Sequence, residues 1–196
     1  MQQVSAQNVL VLDASFGGMS LGALDRYLSD MRAWVLQSCR MALAAGTACG
    51  RIGTLPGALL EALVGACGAS GDAARFVASG EDVPHRLLAR QLGLSRLGSA
   101  IMVLAAAPRL WGDLAQLYSN IGFTGKAIVE EGLLAALLGC DRGAIERELD
   151  PGAPLTVTGV CRLGPGARPT APVIVHAMVV RRLAGEKVHD ARPRLA

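Results

Sequence analysis

The sequence predicts a mainly helical protein: a helical bundle followed by a smaller helix pair that ends in a C-terminal β-hairpin. Three observations carry this. Apolar residues recur every three or four positions from Leu21 to Ala42, a stretch centred on RLGSAIMVLAA (96–106) lacks charge in its last ten residues, and the pattern changes to alternation after Pro154.

In 21–42, Leu21, Leu24, Leu28, Met31, Val35, Cys39 and Ala42 line one stripe, with Asp25, Arg26, Asp30 and Arg32 between them. That spacing makes an amphipathic helix, long enough to seek a partner. AGTACGRIG (45–53) breaks it, and Thr54 with Pro56 starts a second helix carrying Leu59, Leu60, Leu63, Val64 and Cys67. The Gly, Ser and Asp-rich stretch 68–83 has room for one short helix near 73–77 and is the expected domain seam. The division is therefore an N-terminal helical segment (1–80), a helical plus winged-helix domain ending in the hairpin (81–184) and a basic tail or linker (185–196).

After the seam, Asp82 and Pro84 open a helix with Leu87, Leu88 and Leu92, which Gly93 closes. Ser95 caps the next, RLGSAIMVLAA, which is apolar on most faces, belongs at the centre of the core and ends before Pro108. RLWGDLAQLYSN places Leu110, Trp111, Leu114, Leu117 and Tyr118 on one side. Leu97, Ile101, Leu104, Trp111, Leu114 and Tyr118 are the predicted core. Gly122 and Gly125 interrupt, then 127–138 and 141–149 form a helix pair. Leu155, Val157, Gly159 and Cys161 alternate with Thr156, Thr158, Val160 and Arg162, and GPGARP (164–169) turns the chain into a second strand over 173–180.

Composition narrows the function classes. The 196 residues are 52% hydrophobic and 18% charged, enough for a sizeable core and far from a disordered composition. The longest uncharged apolar stretches, 97–108 and 132–140, fall short of the roughly 20 residues a membrane span requires. The N-terminus has no basic region ahead of its brief apolar run, so no signal peptide is expected and a cytoplasmic location follows. The five cysteines, Cys39, Cys49, Cys67, Cys140 and Cys161, are widely spaced, form no C-x-x-C and read as buried small hydrophobes in a reducing compartment. The net charge of +3 is mild and comes partly from Arg181, Arg182, Lys187, Arg192 and Arg194 near the C-terminus.

Candidate chemistry is thin. GFTGKA (122–127) has its glycines too close for G-x-x-x-x-G-K-[ST] and has Ala127 where a hydroxyl must reach magnesium, so it reads as a turn before a helix. GPGAR (164–168) lacks the third glycine of a dinucleotide fingerprint and is a hairpin loop. His85, His176 and His189 stand at no metal-binding spacing. His85 is expected at the surface or as a capping residue, and His176 as a structural residue inside an apolar strand. Glu130 and Glu131 adjoin and point in different directions on a helix, a poor start for a carboxylate dyad. No catalytic, cofactor-binding or metal residue is assigned, no cofactor is expected, and a small enzyme with an unrecognised site is the least favoured reading.

Helix, tight break, second helix and β-rich return give 133–163 the outline of a winged helix. Charge decides what such an element reads. DRGAIERELD (141–150) carries Arg142 and Arg147 against Asp141, Glu146, Glu148 and Asp150, a net of −2, which phosphates would repel. Arg168 at the loop tip and Arg162 beside it add a weak cationic face. Arg142, Arg147, Arg162 and Arg168 are the candidate interaction surface, with a protein partner favoured and nucleic acid disfavoured. A winged-helix transcription regulator using 127–150 and the 164–168 wing is the alternative.

DVPHRLLARQLGLSRLGSAIMVLAAAPRLWGDLAQLYSNIG (82–122), followed by LLAALLGCDRGAIERELDPGAPLTVTGVCRL (133–163), resembles the helical and winged-helix region N-terminal to the ATPase module in a group of bacterial AAA+ ATPases. The resemblance lies in the order of elements: LARQLGLS leading into a very apolar helix that ends in AAPRL, a helix ending in LY, then the helix pair and LDPGAPLTVTGVCRL. It spans about half the chain, from Asp82 to roughly Leu183. It implies a non-catalytic region that offers a hexameric motor contacts to partners or neighbouring subunits. The chain departs from that group in lacking both Walker motifs, so no residue is carried over as a nucleotide ligand. As given, it is not expected to be an enzyme; a longer parent would be an ATPase.

Overall fold

The structure is a computed structural model that describes residues 19–46, 57, 61 and 83–186. Among these are eight helices and one two-stranded antiparallel sheet. In chain order they are α1 (Leu21–Ala44), α2 (Pro84–Gln91), α3 (Arg96–Leu110), α4 (Gly112–Ile121), α5 (Glu131–Leu138), α6 (Arg142–Glu148), α7 (Pro154–Val157), β1 (Cys161–Leu163), β2 (Val173–Val175) and α8 (Ala177–Leu183). None is long and apolar enough to cross a membrane.

The core is built on α3. Ser95 caps it, its hydroxyl accepting from Gly98 N–H at 2.8 Å. Every residue from Ile101 to Ala107 is buried, so the helix meets neighbours all round: α2, α4, α5 and α8 pack on it together with β2. Of the predicted core, Ile101, Leu104, Leu114 and Tyr118 are fully enclosed, while Leu97 and Trp111 are half-buried at its margin.

The expected stop before Pro108 does not occur, since α3 runs on to Leu110 with Pro108 inside its last turn. Proline has no N–H for the carbonyl four residues back, which is that of Leu104. Tyr118 on α4 supplies the missing donor, its hydroxyl donating to Leu104 O at 3.2 Å in the buried core. The helix then ends at Trp111, whose extended backbone turns the chain into α4.

α1 joins the same core. Tyr27, Met31, Val35, Leu36, Cys39 and Ala42 are buried among the C-terminal helices, with α5 and α3 as its main neighbours, and Arg32 pairs with Asp113 on α4. The apolar stripe that suggested a partner-seeking helix is thus covered by the chain itself. Only its ends leave large apolar side chains outside, Leu21 and Met41. The helix expected after Pro56 falls almost wholly outside the described residues; Gly57 and Glu61 are helical and exposed. The 68–83 seam except Val83, the 73–77 helix, Cys49, Cys67, His189 and all but the start of the basic tail also lie outside them.

Three expectations in the C-terminal half need correction. The first helix of the pair begins at Glu131 rather than Ala127, because Val129 and Glu130 are drawn into extended pairing with 172–173. The alternation over 155–162 is not a strand at its start: Pro154 fits the first helical position and Leu155 turns inward, so 154–157 is a helical turn. Its carbonyl accepts from the Thr158 hydroxyl at 2.6 Å. The second strand stops at Val175, and 177–183 is helical, because His176 caps it through Nδ1, accepting from Met178 N–H at 3.2 Å. Val179, Val180 and Leu183 then fall on one buried face. A short apolar run fits either period, so spacing alone does not separate these cases.

β1 and β2 pair in the register Cys161↔Val175, Arg162↔Ile174 and Leu163↔Val173. On the far side of β2, Glu130 bridges Pro172 and Val173 N–H donates to Val129 O at 2.7 Å. The hairpin loop 164–172 is thereby laid across the start of α5.

Candidate interaction surface

The four candidate arginines sit on three elements: Arg142 in the first turn of α6, Arg147 in its last, Arg162 in the middle of β1 and Arg168 in the hairpin loop. All four are exposed at the residue level. Arg142 lies 3.8 Å from Glu146 one turn on, and Arg168 places Nε 3.0 Å from Glu131 Oε2. Arg168 is thus set against Glu131, and Arg142 and Glu146 act on the same carboxyl through their charge.

That acid heads α5, which has no side-chain cap; its first amides are met by the hairpin loop. Glu131 N–H donates to Ala171 O at 3.2 Å and Gly132 N–H to Pro169 O at 2.8 Å. Close approach requires Gly132, since a Cβ there would stand 3.1 Å from Phe123 Cε2 and 3.4 Å from Pro169 Cβ. Glu131 is 0% exposed, and its two oxygens have no hydrogen-bond partner of good geometry. Burial raises its pKa above the ordinary glutamate value; Arg168 and Arg142 act against this and Glu146 with it.

Glu130 is also 0% exposed and faces the opposite way. Its carboxylate accepts from Phe123 N–H at 3.2 Å, from Thr124 N–H at 2.9 Å and from the Thr124 hydroxyl. The two neighbouring acids thus diverge, as expected: Glu130 fastens the 122–130 loop, while Glu131 faces Arg168 of the 164–172 loop. GFTGKA is a turn before the helix, as its spacing indicates. Sequence reasoning gave neither acid a role, and a pair of glutamates heading an apolar run, EEGLLAALL, was the available signal.

α6 is held from behind. Ile145 and Leu149 enter the core, and Glu148 accepts from the Ser95 hydroxyl at 2.6 Å, joining this helix to the cap of α3. Gly98 is needed for that approach, because a Cβ would meet Glu148 Oε2 at 2.9 Å.

His85 is not at the surface as expected. It is 6% exposed, stacked on Tyr27 with ring centroids 5.8 Å apart and planes at 9°, joining α2 to α1. Burial lowers its pKa to about 4, with Arg86 adding to the effect. His176 is exposed at a helix start rather than inside a strand. Cys39 and Cys161 are buried; burial pushes the thiol of Cys161 up to about 12, that of Cys39 higher still, and that of Cys140 upward with help from Asp141. Such thiols are poor nucleophiles at neutral pH. Among the described residues, no three His, Cys, Asp or Glu side chains gather where a metal ion could bind.

Comparison with protein families, with curated proteins and with solved structures returns no match. The residues must therefore carry the functional argument.

Proposed function

We propose that this chain is a non-catalytic docking region of a bacterial AAA+ ATPase system, in which 112–175 form a winged helix turned to protein contact. The order of elements supports the winged-helix reading: α4, the extended pair 129–130, α5, α6, the short turn α7, β1, a loop and β2, with β2 lying between 129–130 and β1. The resemblance of 82–183 to the region preceding such ATPase modules supplies the system.

The observation that carries the docking reading is how the charges of α6 and the wing are spent. Arg142 and Arg168 are both directed to acids of their own chain, and Glu148 ties α6 to α3. A helix that reads DNA keeps its cations for phosphates and its polar groups for base edges. The exposed face here is of mixed sign, which suits a protein surface of complementary pattern.

Titration against duplex DNA at about 50 and about 200 mM salt tests this. The proposal expects weak binding with little salt dependence. Tight binding that falls about a thousandfold between those salts overturns it in favour of the transcription-regulator reading.

A further inference from the structure

The Glu131–Arg168 pair is unusual in its asymmetry. The carboxylate is wholly enclosed, whereas the Arg168 side chain is 34% exposed. Arg168 Nε lies 3.0 Å from Oε2, yet neither carboxylate oxygen has a hydrogen-bond partner. A buried carboxylate ordinarily gathers several donors, as Glu130 does next to it. An enclosed carboxylate that accepts no hydrogen bond is a place for a proton.

We propose that Glu131 and Arg168 form a proton-operated clip on the hairpin loop. With Glu131 ionised, its charge holds the Arg168 guanidinium against the start of α5. When the carboxyl takes up a proton it becomes neutral, its hold is lost, and the guanidinium moves into the water it already partly faces. The site changes from a neutral pair to a surface cation presented at the wing.

The loop itself stays in place, because its backbone bonds do not depend on the pair. Glu131 N–H to Ala171 O, Gly132 N–H to Pro169 O, Gly164 N–H to Pro172 O at 2.7 Å and Val173 N–H to Val129 O all persist. The other charges facing Glu131 are Arg142 and Glu146 on α6, which offset one another as a pair, while Glu130 points away to Phe123 and Thr124. Burial outweighs Arg168, so this carboxyl holds its proton more tightly in the fold than in the unfolded chain. At this position, then, protonation opens the clip without unfolding the protein. The inference rests on the chain's own contacts and stands whichever partner the wing meets.

The Arg168 Nε–H resonance of the full chain, followed by NMR from about pH 8 to about pH 4, reads the clip directly. The expected result is a signal shifted by the neighbouring carboxylate at neutral pH that moves to the free-arginine position on acidification, with a midpoint above the ordinary glutamate value. In Glu131→Gln the free-arginine position is expected at every pH, with the Val173 methyl signals unchanged. A wild-type signal that matches Glu131→Gln throughout, or a midpoint at or below the ordinary value, overturns the clip. Should Glu131→Gln not fold, Arg168→Gln with the Glu131 side-chain carbon observed gives the same decision: removing the cation must raise the carboxyl midpoint further, and an unchanged midpoint overturns the pairing.

Discussion

α3 and the start of α5 are both fully buried, yet they are buried by opposite means. From Ile101 to Ala107 the helix is enclosed by apolar side chains, and its one polar defect, the Leu104 carbonyl left without a donor by Pro108, is repaired by the Tyr118 hydroxyl. At Glu130 and Glu131 two charges are enclosed instead, each meeting a loop. The first region obtains its stability from apolar burial, which is tolerant of how it is achieved. At Glu130 the enclosed charge fixes where the 122–130 loop lies, because a buried charge is costly anywhere except against its donors; Glu131 meets one cation, Arg168, instead.

The largest test of this contrast is a charge placed in the apolar region. Ile101→Asp buries a carboxylate with no donor and should abolish folding, seen as loss of cooperative melting by circular dichroism. A soluble, cooperatively melting variant would show that α3 is not the centre of the core.

Next comes His85, the one buried imidazole among the described residues, stacked on Tyr27. Its pKa is lowered to about 4, so the unfolded chain binds a proton that the folded chain refuses. Its contribution is complete above about pH 6.5, declines as pH falls toward about 4 and is flat below that, a loss that can reach about 3 kcal/mol at about 1.4 kcal/mol per pH unit. Chemical denaturation across this range should show the decline in the wild type and a shallower one in His85→Phe; parallel curves would place His85 in water.

Glu130→Gln removes the charge that Phe123 and Thr124 donate to. The expected cost is about 2 kcal/mol of unfolding free energy, with faster hydrogen exchange confined to the 122–130 loop. Exchange spread evenly over the molecule would mean that the acid does not act on that loop.

The smallest effect is the most specific. Tyr118→Phe should cost about 1 to 2 kcal/mol, and less when Pro108→Ala restores a backbone donor for Leu104 O. Additive changes in a double-mutant cycle would dissociate the two residues.

The same contrast explains what could be read from the sequence. The apolar region was legible because its signals are local: Ser95 announces the start of α3, Gly93 with φ +62 ends the turn before it, and apolar spacing marks the buried faces of α1 and α4. Even there Pro108 misled, since the donor that tolerates it lies ten residues away on α4. The charged region was legible only in outline. Arg168 could be singled out as a wing-tip cation, yet its partner Glu131 is reached only when 172–173 pairs with 129–130. Nor could periodicity place His85 beneath α1, because the contact joins elements far apart in the chain. The short segments 154–157 and 177–183 failed for a different reason: each offers a few apolar residues that satisfy helix and strand spacing alike, and capping by Pro154 and His176 decides.

On the docking proposal, this chain works beside an ATP-hydrolysing module. The most direct measurement is to isolate the protein from its source in native form, with whatever it is joined or bound to, and assay ATP hydrolysis while determining the mass and composition of the assembly. The expected result is an ATP-hydrolysing module carrying G-x-x-x-x-G-K-[ST], on the same polypeptide or in stoichiometric association with it. An intact native assembly with no nucleotide-hydrolysing component would contradict it.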